Sequence, residues 1–135
     1  RKCNSDPKHY MKRALQQLRS ARLKRDPNIH FGITHEDVWR QYDLQDGCCA
    51  LSGLKMENYR DGSGIKNPYN ISIDRIEPDL PYTPDNIQLV CQAINMMKGT
   101  LDDNEFIRLC RAVAFNRSDF RERTDKSSSS SRDTV

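Results

Sequence analysis

Four polar side chains with metal-binding or phosphate-binding chemistry lie close together in the segment from Ile71 to Gly99. They are Asp74, Asn86, Asn95 and Lys98. Carboxylate and amide oxygens are ligands of hard divalent cations, so Asp74 and Asn95 are candidate ligands of Mg²⁺ or Mn²⁺. Lys98, three residues after Asn95, would share its helix face and could meet a phosphate group.

Two strands and a helix are predicted to position these side chains. The isoleucines of residues 70–76 alternate as in a first strand, residues 86–91 supply a second strand, and residues 92–98 form a short helix. Residues 77–85 contain three prolines and no apolar period, which indicates a long hairpin connection. Such an arrangement can present the water, the cation and the strand-holding groups that phosphodiester hydrolysis requires.

The order of these parts resembles the HNH (ββα-metal) nuclease family of the phage type. In that family the first strand bears Asp-His-Ile, a loop asparagine stabilises the turn, and the helix bears a His or Asn ligand followed by a basic residue. Here Asp-Arg-Ile at residues 74–76, then Asn86, and then Asn95 with Lys98 stand at those places. The resemblance covers residues 33–101 and includes the sequence GCCALSG that leads into the motif.

The resemblance implies a fold and a role for each matching residue. The fold is a small single α+β domain whose ββα-metal hairpin and helix are flanked by N- and C-terminal helices. Asp74 and Asn95 would bind one divalent metal ion, Asn86 would tie the connection and orient the catalytic group, and Lys98 would contact a phosphate. The protein would then be a metal-dependent endonuclease acting on DNA, with RNA not excluded.

Arg75 stands where the family carries its histidine. An arginine side chain stays protonated and cannot take a proton from water, but it can bind the scissile phosphate or stabilise transition-state charge. The general base is then a metal-bound hydroxide, Glu77, a histidine elsewhere, or the substrate. Glu77 lies two residues after Arg75 and would share its face if the strand continues that far.

Two other classes of function remain open on these residues. The first is a degenerate HNH-like domain that binds nucleic acid without cutting it, with Arg75 as the mark of lost catalysis. The second is a structural or assembly protein that keeps only the fold.

Basic residues are concentrated at the N-terminus of the 135-residue chain. Residues 1–26 hold nine Lys or Arg against two Asp, although the whole chain carries a net charge of only +3. Apolar residues at three- and four-residue steps from Pro7 to Arg25 predict an amphipathic helix, with Asp6 as its N-cap. Its basic face is either a solvated surface or a grip on a nucleic-acid backbone. The expected nucleic-acid contacts on this helix are Lys12, Arg13, Arg19 and Arg22.

The five cysteines are odd in number and irregular in spacing, which favours a reducing, intracellular setting, the cytoplasm or the nucleus, over a disulfide framework. Cys49 and Cys91 each begin a Cys-x-x-x pattern whose second thiol is replaced by Ser52 or Ile94. Two thiolates do not complete a tetrahedral zinc site. No structural zinc is therefore expected, and both thiols should be buried near one another.

The rest of the chain completes a three-part division. Residues 1–26 form the basic helix, residues 27–116 the HNH-like domain, and residues 117–135 a polar tail expected to be disordered. Within the domain we expect a helix capped by Thr34 and ending near Leu44, an exposed loop at residues 57–69, and a helix from Asp102 or Asp103 to about Phe115. The sequence contains no long apolar run, so no membrane partner is expected. The chain starts with Arg, which allows it to be part of a larger polypeptide or assembly.

Overall fold

A computed structural model describes residues 3–4, 6–60, 62–64 and 66–121. The fold is small and α+β, as predicted, and it divides into two compact units, residues 1–103 and residues 104–135. The first helix belongs to the first unit, so the predicted boundaries after residues 26 and 116 do not coincide with this division. In chain order the elements are β1 (Cys3–Asn4), α1 (Pro7–Arg25), α2 (His35–Leu44), β2 (Tyr59–Arg60), β3 (Ile71–Arg75), β4 (Ile87–Cys91), α3 (Gln92–Lys98) and α4 (Asp103–Asn116).

Helix α1 begins and ends where the sequence predicts. The side chain of Asp6 accepts a hydrogen bond from the backbone of Lys8, and proline at the first helical position lacks the N–H that would otherwise be unpaired. Met11 and Leu15 are buried on one face, while the basic side chains stay toward solvent. The helix is amphipathic because its apolar residues recur about once per turn.

Helix α2 is opened by a complete capping box. Thr34 Oγ1 accepts from the backbone N–H of Asp37 at 3.3 Å, and Asp37 Oδ2 accepts from the backbone N–H of Thr34 at 2.9 Å. The second bond is the largest cause of a lowered pKa at Asp37, because it favours the charged carboxylate. Val38 is fully buried, and Trp39 and Tyr42 are partly buried and pack against the core.

The antiparallel pair β3 and β4 carries the core of the first unit. Ile71 pairs with Cys91 and Ile73 with Leu89, and every residue of β4 is buried. Helices α1 and α3 pack against β3, and helix α2 packs against β4. Helix α3 follows β4 without a connecting loop and ends at Lys98, and the next residue, Gly99, has a φ of 58°, a conformation that glycine adopts readily.

Gln45, at the end of α2, is bonded to the backbone of β4. Its amide nitrogen donates to Leu89 O at 2.8 Å, and its amide oxygen accepts from Leu89 N at 2.9 Å. The backbone N–H of Ala50 donates to the same carbonyl at 3.0 Å. Both main-chain polar groups of Leu89 are therefore paired with groups outside the hairpin.

Asn86 ties the connection between β3 and β4. Its side-chain oxygen accepts from Glu77 N at 2.9 Å, and its side-chain nitrogen donates to the carbonyls of Glu77, Leu80 and Pro81 at 3.0 to 3.3 Å. The side chain thus replaces the regular strand hydrogen bonds that this proline-rich segment cannot make. The tie was predicted from the sequence, and its orienting effect on a catalytic group stays a prediction.

Several regions differ from the sequence predictions or lie beyond what the structure describes. The predicted loop at residues 57–69 contains a short strand, β2, which pairs with β1. Asn70 holds Tyr59 of β2 in place through two hydrogen bonds to its backbone. Helix α4 lies at the predicted position, but most of its large apolar side chains are exposed, as at Ile107 and Val113. Most of the predicted tail, residues 122–135, falls outside the described residues. Within the described part of the chain, no helix combines the length and apolar character needed to cross a membrane.

Candidate active site

A cleft of about 890 Å³ opens in the first unit. It is lined by one face of α1, by loop residues between positions 59 and 66, by β3 and by part of α3. Asp74 and Asn95, the two predicted metal ligands, both line it. The hairpin and helix therefore bring these two residues to the same cleft.

The cleft is strongly basic. Its cationic lining residues come from α1, the 59–66 loop and β3, whereas Asp74 is the one carboxylate among its described lining residues. The cations are Arg22, Arg60, Lys66 and Arg75. A concave surface with this excess of positive charge attracts polyanions and concentrates their phosphates.

Arg75 is held in a fixed orientation at one end of the cleft. Its Nη1 donates to Leu80 O at 3.1 Å, and its guanidinium lies 4.7 Å from the centroid of the Tyr82 ring. Arg22, from α1, lies 5.8 Å from the same ring, and Phe31 packs against Tyr82 at 4.6 Å. Tyr82 is almost fully buried, so one rigid ring supports two guanidinium groups that line the cleft.

Asp74 has two oxygens in different environments. Its Oδ2 accepts from Lys98 Nζ at 2.7 Å and from Gln88 Nε2 at 2.9 Å. Its Oδ1 accepts no hydrogen bond from the part of the chain that the structure describes. Oδ2 is therefore occupied by hydrogen bonds from the protein, whereas Oδ1 is available to a ligand.

Lys98 does not occupy the position that the sequence predicts. Its side chain is only 1% exposed and cannot meet a phosphate from the protein surface. Its three N–H bonds match three close acceptors, Asp74 Oδ2 at 2.7 Å, Asp103 Oδ1 at 2.8 Å and Arg75 O at 2.8 Å. The prediction of a phosphate contact is wrong because Lys98 is an internal counter-ion with no donor left over.

The charge state of Lys98 follows from these partners. Burial alone would lower its pKa, since the charged form loses its hydration. The hydrogen bonds that it donates to Asp103 and Asp74 outweigh burial and raise the pKa above its ordinary value of 10.5. Lys98 is therefore cationic at neutral pH, and its charge is shared between two carboxylates.

Asn95 presents its side chain to the same strand. Its Nδ2 donates to Ser72 Oγ at 2.6 Å and, more weakly, to Ile73 O at 3.4 Å. The Oδ1 atom makes no hydrogen bond within the described residues. These bonds fix the amide so that its oxygen, the atom a hard cation prefers, is the one left unpaired.

The donor set fits a divalent cation that keeps several of its own ligands. Asp74 and Asn95 each have an unpaired oxygen and line one cleft. Mg²⁺ is commonly bound by one or two carboxylates together with waters and substrate phosphates, so two protein oxygens suffice. No cluster of three or more His, Cys, Asp or Glu suited to a metal occurs among the described residues, and a metal enclosed by protein ligands has no support there.

Glu77 does not share the position of Arg75. Strand β3 ends at Arg75, so the alternation of sides stops before Glu77, whose side chain is exposed and does not line the cleft. No histidine lines the described part of the cleft either. Glu77 was predicted as a second acidic residue on this face, and that placement is wrong.

The predicted basic contacts on α1 separate into two groups. Arg22 lines the cleft, whereas Lys12, Arg13 and Arg19 are exposed and lie outside its lining. Arg19 instead stacks on Phe31 at 5.8 Å. A helix this long presents basic residues to several sides, and only a minority can reach one cleft.

Sequence reasoning missed four residues of the site. Arg60 lines the cleft from β2 and Lys66 from the loop that follows it, and Gln88 and Asp103 complete the network around Lys98. Gln88 did give a signal, because it is the one polar side chain in the otherwise apolar strand IQLVC. A polar group in a fully buried strand requires a buried partner.

Cys49 and Cys91 are free and buried, as predicted. Burial and the adjacent Cys49 raise the pKa of Cys91 to about 11. At Cys49 burial alone would raise the pKa, but hydrogen bonds from the Ser52 hydroxyl and from backbone N–H groups outweigh it and lower the pKa. The two cysteines lie where β4 meets the loop segment that contains Cys49.

Comparison with protein-family models, with curated proteins and with solved structures finds no match for this chain.

Proposed function

We propose that this protein is an HNH-like endonuclease that hydrolyses DNA phosphodiester bonds with one divalent metal ion, Mg²⁺ or Mn²⁺, held by Asp74 and Asn95. The observation that carries the proposal is that Asp74 and Asn95, each with one oxygen that makes no hydrogen bond within the described residues, line a cleft whose other charged lining residues are basic. The order of strand, strand and helix that brings them together supports the same proposal. The free cysteines favour a reducing, intracellular setting for this activity.

The residues of the cleft divide the work of hydrolysis. Arg75 and Arg22 bind the scissile phosphate, and their guanidinium groups need little reorientation because Tyr82 already supports both. Arg60 and Lys66, which line the same cleft, hold the neighbouring backbone phosphates. A divalent ion at Asp74 and Asn95 would neutralise the phosphate oxygens and assist the departing oxygen.

Proton acceptance from the attacking water is the step that Arg75 cannot perform. Glu77 is exposed and does not line the cleft, and no histidine lines the described part of it. We assign this step to an oxygen of the substrate phosphate, one of the acceptors that the sequence leaves open. The rate should then vary little with pH near neutrality, since no histidine titrates in the step.

A plasmid nicking assay on the full chain tests the proposal. Supercoiled DNA should be converted to the open circle with Mg²⁺ or Mn²⁺ and should remain supercoiled with a chelator. No nicking together with salt-sensitive DNA binding would indicate a nucleic-acid-binding domain without nuclease activity. Two observations favour that alternative: Asp74 Oδ2 is already hydrogen-bonded to Lys98, and the guanidinium of Arg75 is stacked on Tyr82. No binding even at low salt would leave the structural alternative.

Replacing Arg75 with alanine should reduce both DNA affinity and nicking. A charge-assisted hydrogen bond contributes about 1.5–3 kcal/mol, which corresponds to a loss of about 10- to 100-fold. The slope of log affinity against log salt should fall by about one, because one phosphate contact is lost. Binding titrations at several salt concentrations measure this change.

Arg40→Ala provides the matched control for that measurement. Arg40 is exposed on α2, pairs with Asp37 and is not among the described residues that line the cleft. Its loss removes the same charge but should leave the cleft intact. Equal losses in the Arg75 and Arg40 variants would mean that general charge, rather than the cleft, governs binding.

A further inference from the structure

We propose that Gln88, Lys98 and Asp103 are positioning residues that fix the geometry and the charge of Asp74 for metal binding. This inference rests on the proposed function and names the support that its metal site needs. None of the three side chains lines the cleft, so none of them supplies an oxygen to a ligand there. Each acts through hydrogen bonds within one connected network.

The network leaves Asp74 little freedom to rotate. Gln88 Nε2 donates one N–H to Asp74 Oδ2 at 2.9 Å and the other to Asp103, at 3.0 Å to its Oδ1. Lys98 donates to the same Asp74 oxygen at 2.7 Å. A turn of the carboxylate would break both bonds in a site where Asp74 is only 7% exposed. Oδ2 is therefore fixed inward, and Oδ1 is the ligand atom.

The same network sets the charge that a cation would meet. Lys98 alone would cancel the charge of Asp74 and leave a weak site for a divalent ion. Asp103 bonds the same ammonium group at 2.8 Å, so two carboxylates share one cation and the cluster keeps a net charge of −1. Because Lys98 and Asp74 are buried, this charge is poorly screened by water on the interior side.

The turn after α3 places Asp103 where its carboxylate can bond Lys98. The backbone N–H of Leu101 donates to Lys98 O at 3.1 Å, which returns the chain toward the buried ammonium group. Gly99, with positive φ, makes that turn without strain. The turn thus brings a carboxylate five residues after Lys98 to its side chain.

A Mn²⁺ titration of the full chain tests the inference without requiring activity. The electron paramagnetic resonance signal of free Mn²⁺ measures how much of the ion is bound. Asp103→Asn keeps an acceptor for Lys98 but removes one negative charge, and Gln88→Met removes the donor to Asp74. Each variant should bind Mn²⁺ about 10- to 100-fold more weakly than the parent, the range expected for outer partners of a metal ligand. Asp85→Asn, an exposed change of equal charge, should bind as the parent does.

The outcomes separate the inference from the proposed function. If the parent binds Mn²⁺ and nicks DNA while both folded variants retain its Mn²⁺ affinity, the positioning role is overturned and the nuclease proposal stands. If the parent neither binds Mn²⁺ nor nicks DNA, both are overturned. Circular dichroism establishes folding, and Gln88→Met, which leaves the ion pairs in place, decides the result if Asp103→Asn does not fold.

Discussion

Lys98→Met is expected to lower the free energy of unfolding by about 3–5 kcal/mol, the scale found when one partner of a buried ion pair is removed. The variant leaves two carboxylates, Asp74 and Asp103, without the ammonium group that they share. It also leaves Arg75 O without its 2.8 Å donor. Small domains are stable by only about 5–15 kcal/mol, so this single change removes a large fraction of the total.

Urea unfolding followed by the fluorescence of Trp39, the one tryptophan of the chain, measures this loss. Trp39 packs against the core and should report its opening. Lys12→Met is the matched control, because Lys12 is exposed within α1 and methionine has nearly the same helix propensity as lysine. It should change stability by no more than about 0.5 kcal/mol. Equal stability of both variants would show that the ion pairs of Lys98 contribute nothing net.

The alkaline limit of stability provides a second reading of the same residue. Because the folded pKa of Lys98 is raised above 10.5, its contribution is fully present below about pH 10.5 and is lost as pH rises through the folded value. Lys98→Met lacks this titration, so the difference in stability between parent and variant should shrink at strongly alkaline pH.

Asp74→Asn is expected to reduce metal-dependent nicking by about 10²–10³-fold, the range for removal of one group that organises transition-state charge. Asparagine keeps an oxygen that Lys98 and Gln88 can bond, so the hairpin should keep its shape. The charge that attracts the metal is lost. DNA binding without metal should be retained or improved, since the one carboxylate of the basic cleft's described lining has gone.

Asp79→Asn controls for the change in net charge. Asp79 is exposed in the connection between the strands and does not line the cleft. Its nicking rate, measured on the same plasmid at saturating Mg²⁺, should match that of the parent. If Asp74→Asn nicks as fast as Asp79→Asn and still requires metal, the ion does not bind at Asp74 and the proposed site is wrong.

The elements of this fold were largely predictable because their signals are local. Asp6 with Pro7, and Thr34 with Asp37, are caps that depend on neighbours within three residues. The pair β1 and β2 was not predictable, since each strand has only two residues and their pairing joins Cys3–Asn4 to Tyr59–Arg60 across the whole of α1 and α2. Short strands paired over a long separation leave no period in the sequence.

The site was only partly predictable because a helix places residues three apart on neighbouring, not identical, faces. Lys98 lies about 60° around α3 from the direction of Asn95, since three residues turn a helix through about 300°. That difference moves Lys98 from the cleft to the interior, where Asp103 and Gln88 meet it. Local spacing indicated a shared face, and only the tertiary contacts decided between phosphate and carboxylate.

The bonds from Gln45 to β4 affect how this protein behaves toward other copies of itself. A sheet of two strands has an open edge on each side, and unpaired main-chain groups at such an edge can template aggregation by adding a strand from another chain. At Leu89 the amide of Gln45 and the backbone N–H of Ala50 already fill these positions. A side-chain amide thus closes the middle of the β4 edge and protects the hairpin from intermolecular strand addition.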